Sequence, residues 1–166
     1  MSMNGELLRV TPGELARALE DPEWAWDFAA HVQEQENEET TTPAEARHFT
    51  THQTWHLMDF LLKRLAFPVD ITYGEEPIPE ADGWGYEPPR YLTNERVRLA
   101  AERLGQMTYD ELIRGVDHAE LAAAEVYPQI WDSPSSLEWA GDVFPALTEF
   151  FRSAASADHA IVIWLE

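Results

Sequence analysis

The sequence Ala160-Ile161-Val162-Ile163-Trp164-Leu165, near the C-terminus, decides the fold class because it has the strongest β-propensity in the chain. A shorter run of the same kind, Leu7-Leu8-Arg9-Val10, lies near the N-terminus. The residues between these two runs carry the apolar spacing and capping signals of five or more helices. The sequence therefore predicts an α+β fold, with several helices packed on a small sheet that includes the N- and C-terminal strands.

Helix starts are marked by residues whose side chains can accept a hydrogen bond from the first turn. The predicted caps are Thr11, Thr93, Thr108 and Asp117. A second helix begins after Asp21-Pro22. A third is predicted over 51–65, because its apolar residues recur at helical spacing along one arc.

The segment 33–43 reads QEQENEETTTP and contains no large apolar residue. Such a composition is typical of a solvated segment that buries nothing. We therefore predict a mobile acidic loop at 33–43. No other stretch divides the chain, so residues 1–166 are expected to form a single domain.

The composition limits the classes of partner. The chain has 31 acidic and 11 Lys or Arg residues, a formal net charge of −20. A surface this negative repels nucleic acids and anionic membranes, so neither is an expected partner. A basic protein or a small molecule remains possible as a partner, and the acidity also maintains solubility.

The chain contains no Cys, which excludes thiolate nucleophiles, disulfides and Cys zinc sites. The first residues lack the basic and apolar regions of a secretory signal. The run 160–165 is too short to span a bilayer. A cytoplasmic location is therefore expected.

Three histidines recur at intervals of four: His48, His52 and His56, with Asp59 three residues further on. On a helix this spacing would place His52, His56 and Asp59 on one face, where they could hold a divalent metal. A packed, hydrogen-bonded His56 beside the apolar arc is the alternative, and it is the one we favour. We therefore predict no metal site and no cofactor.

A second candidate site combines aromatic residues with a few polar groups, as small-molecule pockets do. Its residues are Trp55, His56, Arg90, Tyr91, Tyr127 and Trp131. In such a pocket Arg90 would bind an anionic group and His56 would transfer a proton. The same residues would equally suit an aromatic core. Phosphate-binding loops, paired Rossmann glycines and a G-x-S-x-G elbow are all missing from the sequence.

Several segments together resemble the YfbM-like proteins, a bacterial family of unknown function. They are Met3-Asn4-Gly5, the helix start at 11–15, Trp55-His56, the blocks 85–93 and 125–131, and the C-terminal aromatic helix followed by a strand. The resemblance implies a cytoplasmic α+β domain with no established activity. Of the histidine set, only His56 lies in the matching pattern.

Two functions follow as hypotheses. The first is a non-catalytic binding or interaction module, for example an antitoxin-like or immunity-like protein that masks a basic surface through charge complementarity. The alternative is a small-molecule enzyme or sensor with an aromatic pocket containing His56 and Arg90. The missing catalytic signatures favour the first.

Overall fold

The computed structural model describes residues 2–38 and 41–166. Its strands and helices, in chain order, are β1 Gly5–Val10, α1 Pro12–Glu20, α2 Pro22–Glu38, β2 His48–His52, α3 Trp55–Arg64, β3 Glu76–Pro77, β4 Arg90–Leu92, α4 Asn94–Leu104, α5 Tyr109–Ile113, α6 His118–Ala123, α7 Pro134–Ser156 and β5 Ala160–Leu165. Within these residues no helix is both long and apolar enough to cross a membrane.

The strands form one antiparallel sheet in the order β2-β1-β5-β4-β3. At its centre β1 pairs with β5, so that Leu7 lies opposite Ile163 and Leu8 opposite Val162. The predicted α+β class and the pairing of the N- and C-terminal strands are therefore confirmed. All six residues of each central strand are buried, because helices cover both faces of the sheet.

Alternate residues of the central strands belong to two separate apolar clusters. Leu7, Ile161 and Ile163 pack in the larger cluster, which lies between the sheet and the helices α3 to α7. Leu8, Val10, Val162 and Trp164 pack in the smaller cluster, which α1, α2 and residues 78–84 cover. Side chains alternate between the two faces of a strand, and here each face has its own core.

The helix caps predicted at Thr11, Thr93, Thr108 and Asp117 are formed. Thr11 and Glu14 make a complete capping box, with Thr11 Oγ1 accepting from the Glu14 amide at 3.1 Å and Glu14 Oε1 accepting from the Thr11 amide at 2.8 Å. Thr93, Thr108 and Asp117 likewise accept from amides in the first turns of α4, α5 and α6. These side chains fix where the helices begin.

The loop predicted at 33–43 is wrong over its first half, because α2 continues to Glu38. Glu and Gln are good helix formers, and here the side chains of Glu36 and Gln33 contact the start of β2 and the residue before it. The Glu36 carboxylate accepts from the backbone amides of Arg47 at 2.8 Å and His48 at 3.0 Å. Gln33 Nε2 lies 3.1 Å from His48 Nε2. Residues 39 and 40 lie outside the described residues.

The third helix begins at Trp55, four residues later than predicted, because His48–His52 forms β2. This strand pairs with β1, with Phe49 opposite Leu7. The chain then turns at His52, whose φ of 52° is in the left-handed region. The histidine spacing of four therefore spans a strand and a helix, and the single helical face assumed for the metal hypothesis does not exist.

Candidate functional site

Four of the six residues proposed as an aromatic pocket are brought together by α3 and the segment 125–131. The Trp55 ring stacks on His56 and on Tyr127, with ring centroids 5.2 Å and 5.6 Å apart. His56 Nδ1 accepts a hydrogen bond from the Tyr127 backbone amide at 2.8 Å. Trp131 Nε1 donates to the Tyr127 carbonyl oxygen at 3.0 Å. We call Trp55, His56, Tyr127 and Trp131 the aromatic cluster.

The aromatic cluster holds the N-terminal segment. Trp55 Nε1 donates to the Met3 carbonyl oxygen at 2.8 Å, and the Met3 amide donates to the Tyr127 hydroxyl at 2.8 Å. Both backbone groups of Met3 are thus bound by aromatic side chains. None of the cavities described below is lined by Trp55, His56 or Tyr127. In this conformation these rings are occupied with each other and with Met3.

Arg90 and Tyr91 are engaged elsewhere. The Arg90 guanidinium donates to the carbonyl oxygens of Gly74 and Glu75. Tyr91 packs against the smaller apolar cluster, on the opposite face of the sheet from Leu92 in the larger one. Arg90 therefore anchors the loop that precedes β3, and the contacts of Tyr91 are with the α1–α2 side.

The residues of the metal hypothesis have separate partners. The exposed His52 ring lies 6.4 Å from that of Trp139. Asp59 accepts from Lys63 Nζ at 2.8 Å and from Thr72 Oγ1 at 2.9 Å. Across the described part of the chain, no group of three or more His, Cys, Asp or Glu residues is placed to hold a metal ion.

The electrostatics of His56 follow from its position. Burial lowers the pKa of His56 below its usual value, and the nearby Lys63 acts in the same direction while Asp59 opposes both. Because Nδ1 accepts the Tyr127 amide, the single proton of the neutral ring is on Nε2. His56 is thus a neutral hydrogen-bond acceptor at neutral pH.

A different site lies between the start of α2 and the loop 80–84. We call it the acidic groove, and its volume is about 360 Å³. It is lined by Pro22, Glu23, Trp26, Asp27, Glu80, Asp82, Gly83 and Trp84. Half of these residues are carboxylates and none is basic. The ion pairs of the described residues include none of these four carboxylates.

The wall of the acidic groove is aromatic. Trp26 meets Trp84 edge to face with ring centroids 5.1 Å apart, and Trp84 meets Trp164 in the same way at 5.2 Å. Trp84 is only 2% exposed, whereas Trp26 is half-buried. These three indole rings contact one another in a row that ends at Trp164 in β5, so the sheet holds the wall of the groove in place. Part of Trp26 remains available to a ligand.

Sequence reasoning missed this site because its two halves are more than 50 residues apart. Each half has a local signal: a Trp lies close to two acidic residues in 23–27 and again in 80–84. Only the packing of both segments on the smaller apolar cluster brings the signals together.

A larger groove, of about 660 Å³, lies between α5 and α7. Its apolar residues include Ile113 and Leu137, and its acidic residues are Asp110, Glu138 and Asp142. The other six of its nine lining residues are uncharged. Tyr109 in its wall donates to the Leu137 carbonyl oxygen at 2.7 Å, and burial raises the pKa of Tyr109 to about 12. The composition of this groove indicates no particular ligand.

A family model for a domain of unknown function, DUF1877, matches residues 1–164. The chain belongs to the DUF1877 family. Among solved structures, it is similar to YfbM from Escherichia coli, a protein of unknown function, over 99% of each chain, with a TM-score of 0.59 and 11% sequence identity. The resemblance to the YfbM-like proteins is confirmed, and at this identity it shows the fold alone. No curated protein matches the chain.

Proposed function

We propose that this protein is a non-catalytic interaction module that binds a basic partner protein, and that the acidic groove receives a cationic side chain of that partner. The observation that carries the proposal is the convergence on a half-buried Trp26 of four carboxylates that form no ion pair with any described residue. A module of this kind could mask a basic surface in the manner of an antitoxin or immunity protein.

The charge of the groove supports a cationic ligand. Glu23, Asp27, Glu80 and Asp82 repel one another, and a guanidinium or ammonium group placed between them relieves that repulsion. The net charge of −20 gives the whole molecule a negative electrostatic potential. It would speed the encounter with a basic partner and make binding sensitive to salt.

The aromatic wall supports an organic cation over a metal ion. A Lys or Arg side chain gains about 0.5–2 kcal/mol over the face of a Trp ring, and its alkyl stem packs on the same surface. The volume of about 360 Å³ leaves room for one such side chain. A bare divalent ion would gain little from Trp26 and prefers a tighter set of oxygen ligands.

The geometry supports this function over a small-molecule enzyme or sensor built on His56 and Arg90. His56 Nδ1 is bonded to the Tyr127 amide, and the Arg90 guanidinium is bonded to two loop carbonyls. The atoms of His56 and Arg90 that would have to contact a substrate in catalysis are instead bonded to backbone groups of the protein.

The test compares two double variants that change the net charge by the same amount. Glu80→Gln with Asp82→Asn neutralises half of the groove. Glu102→Gln with Glu149→Gln neutralises two exposed acids on α4 and α7 that take part in none of the ion pairs of the described residues. Calorimetry with a hexa-arginine peptide, and capture of basic proteins from a bacterial lysate at low and high salt, are run on both variants and on the wild type.

We expect the groove variant to bind the peptide roughly tenfold more weakly, since it loses two charge contacts of about 0.5–1 kcal/mol each. The control variant should stay within about twofold of the wild type. Proteins retained by the wild type at low salt should be lost from the groove variant. Equal weakening in the two variants would show that binding depends on net charge alone and would overturn the proposal.

A further inference from the structure

We propose that the contact between His56 and Tyr127 is a proton-operated latch, in which protonation of His56 Nδ1 releases the Tyr127 backbone and the Met3 segment from α3, while Trp131 stays in the core. The inference concerns the aromatic cluster and is independent of the acidic groove.

The latch depends on the direction of one hydrogen bond. The Tyr127 backbone amide donates to His56 Nδ1 over 2.8 Å, so that nitrogen must present a lone pair. A protonated imidazole carries hydrogen on both ring nitrogens and has no acceptor. Protonation of Nδ1 therefore replaces a hydrogen bond by two opposed N–H groups, and the two segments must separate or turn.

The released segment is connected to the N-terminal segment. The Tyr127 hydroxyl accepts from the Met3 amide, and Trp55, which stacks on both His56 and Tyr127, donates to the Met3 carbonyl oxygen. Trp131 is joined to Tyr127 through its own indole N–H. Moving Tyr127 away from His56 thus breaks the hydrogen bond between the Met3 amide and the Tyr127 hydroxyl. It also removes the Tyr127 ring from the Trp55 ring, whose Nε1 makes the second hydrogen bond to Met3.

The charged groups near His56 set the pH range in which the latch works. On α3 itself these are Asp59, which favours protonation, and Lys63, which opposes it. The titratable groups on the facing elements are Tyr127 and Tyr73, and both rings lie against Trp55. Burial raises the pKa of Tyr73 to about 12, so Tyr73 stays neutral in this range. Burial is the largest influence and lowers the pKa of His56 below 6.5. The latch is therefore closed at neutral pH and opens only as the pH falls below 6.5.

The experiment measures hydrogen exchange of backbone amides by NMR between pH 8 and pH 5, corrected for intrinsic exchange, together with the ring titration of His56. We expect the protection of the Tyr127 amide to fall at least tenfold over this range, with the midpoint of the His56 titration. The amide of Ile163 in β5 reports global unfolding and should lose much less protection.

Two variants separate the latch from general acid sensitivity. In His56→Asn, the side-chain oxygen can accept from the Tyr127 amide but cannot titrate, so protection of Tyr127 should become independent of pH. His31→Asn removes an exposed histidine from α2 and should keep the wild-type dependence.

Three results would overturn the proposal. One is constant protection of Tyr127 while His56 titrates, and another is a pH dependence that survives in His56→Asn. The third is an equal loss of protection at Tyr127 and Ile163, which would indicate global unfolding. If His56→Asn does not fold, the wild type and His31→Asn still give a test. In both, the pH midpoint for loss of Tyr127 protection must coincide with the midpoint of the His56 titration.

Discussion

Trp131 and Ile130 are neighbours in the chain with opposite environments. Trp131 is 2% exposed, stacks on Trp139 with ring centroids 6.2 Å apart and accepts a hydrogen bond from His118 Nδ1 at its carbonyl oxygen. Ile130 is 38% exposed. At the scale of the residue, burial rather than residue type decides what each side chain contributes, and the pair allows that contribution to be measured at adjacent positions.

We predict that Trp131→Ala lowers the free energy of unfolding by about 3–5 kcal/mol, because a buried aromatic ring is lost and a cavity remains. Ile130→Ala should change it by less than about 1 kcal/mol, because this side chain lies at the surface and its loss leaves no closed cavity. Urea unfolding of both variants tests the difference. Similar effects at the two positions would contradict the packing described for the segment 125–131.

At the scale of the element, the sequence predicts what apolar patterning and capping can encode. The strands β1 and β5 are buried on both faces and therefore stand out as continuous apolar runs, and Thr11 to Glu14 forms its capping box from adjacent residues. Both were predicted correctly, as was the α+β class.

The elements that the sequence does not predict are held by polar contacts between distant residues. The end of α2 and the strand β2 depend on the Glu36 carboxylate, which bonds two amides next to the sheet edge, and no hydrophobic periodicity reports such a contact. The acidic groove is missed for a related reason, since α2 and the loop 80–84 meet only through tertiary packing. Within the aromatic pocket, Trp55, His56, Tyr127 and Trp131 do meet, but Arg90 is bound by backbone carbonyls that sequence alone cannot place.

We predict that Glu36→Ala lowers the free energy of unfolding by about 1–2 kcal/mol, because two partly buried backbone amides lose a charged acceptor. Glu34→Ala serves as the control, since Glu34 is an exposed residue of the same helix. Chemical denaturation of both variants gives the comparison, and hydrogen exchange should be faster at the Arg47 and His48 amides in the first variant alone. A loss of stability in Glu34→Ala as large as in Glu36→Ala would indicate that helix propensity, not the contact with β2, supports this part of α2.

At the scale of the whole molecule, two opposing charge effects determine the response to pH. The net charge of −20 produces self-repulsion that acidification relieves. Two histidines act in the opposite sense. Burial lowers the pKa of His56, and burial together with Arg9 and Arg47 lowers the pKa of His159. A lowered pKa means that the unfolded chain binds more protons than the folded one, so these groups make stability fall as the pH falls through 6.5 and below.

Salt should decide which effect prevails, because it screens the long-range repulsion and leaves the partly buried histidines almost unaffected. We predict that the protein is more stable at about pH 5.5 than at pH 8 in low salt, and that the order reverses in about 0.5 M salt. The difference at high salt should be on the order of 1 kcal/mol or less, since both rings are partly solvated. Thermal and urea unfolding at both pH values and both salt concentrations would measure it, and His56→Asn combined with His159→Asn should abolish the reversal.

Greater stability at pH 8 in low salt would contradict the repulsion account, because it would mean that specific paired groups already dominate the charged surface. Greater stability at pH 5.5 in high salt would contradict the role given to His56 and His159.

Binding of a basic partner at the acidic groove is tested most directly by following backbone amide and indole signals in NMR spectra while a hexa-arginine peptide is added. We predict that the largest shifts occur at residues 80–84 and at the Trp26 indole, and that they diminish in high salt. Shifts spread evenly over the acidic surface, or concentrated in the groove between α5 and α7, would contradict it.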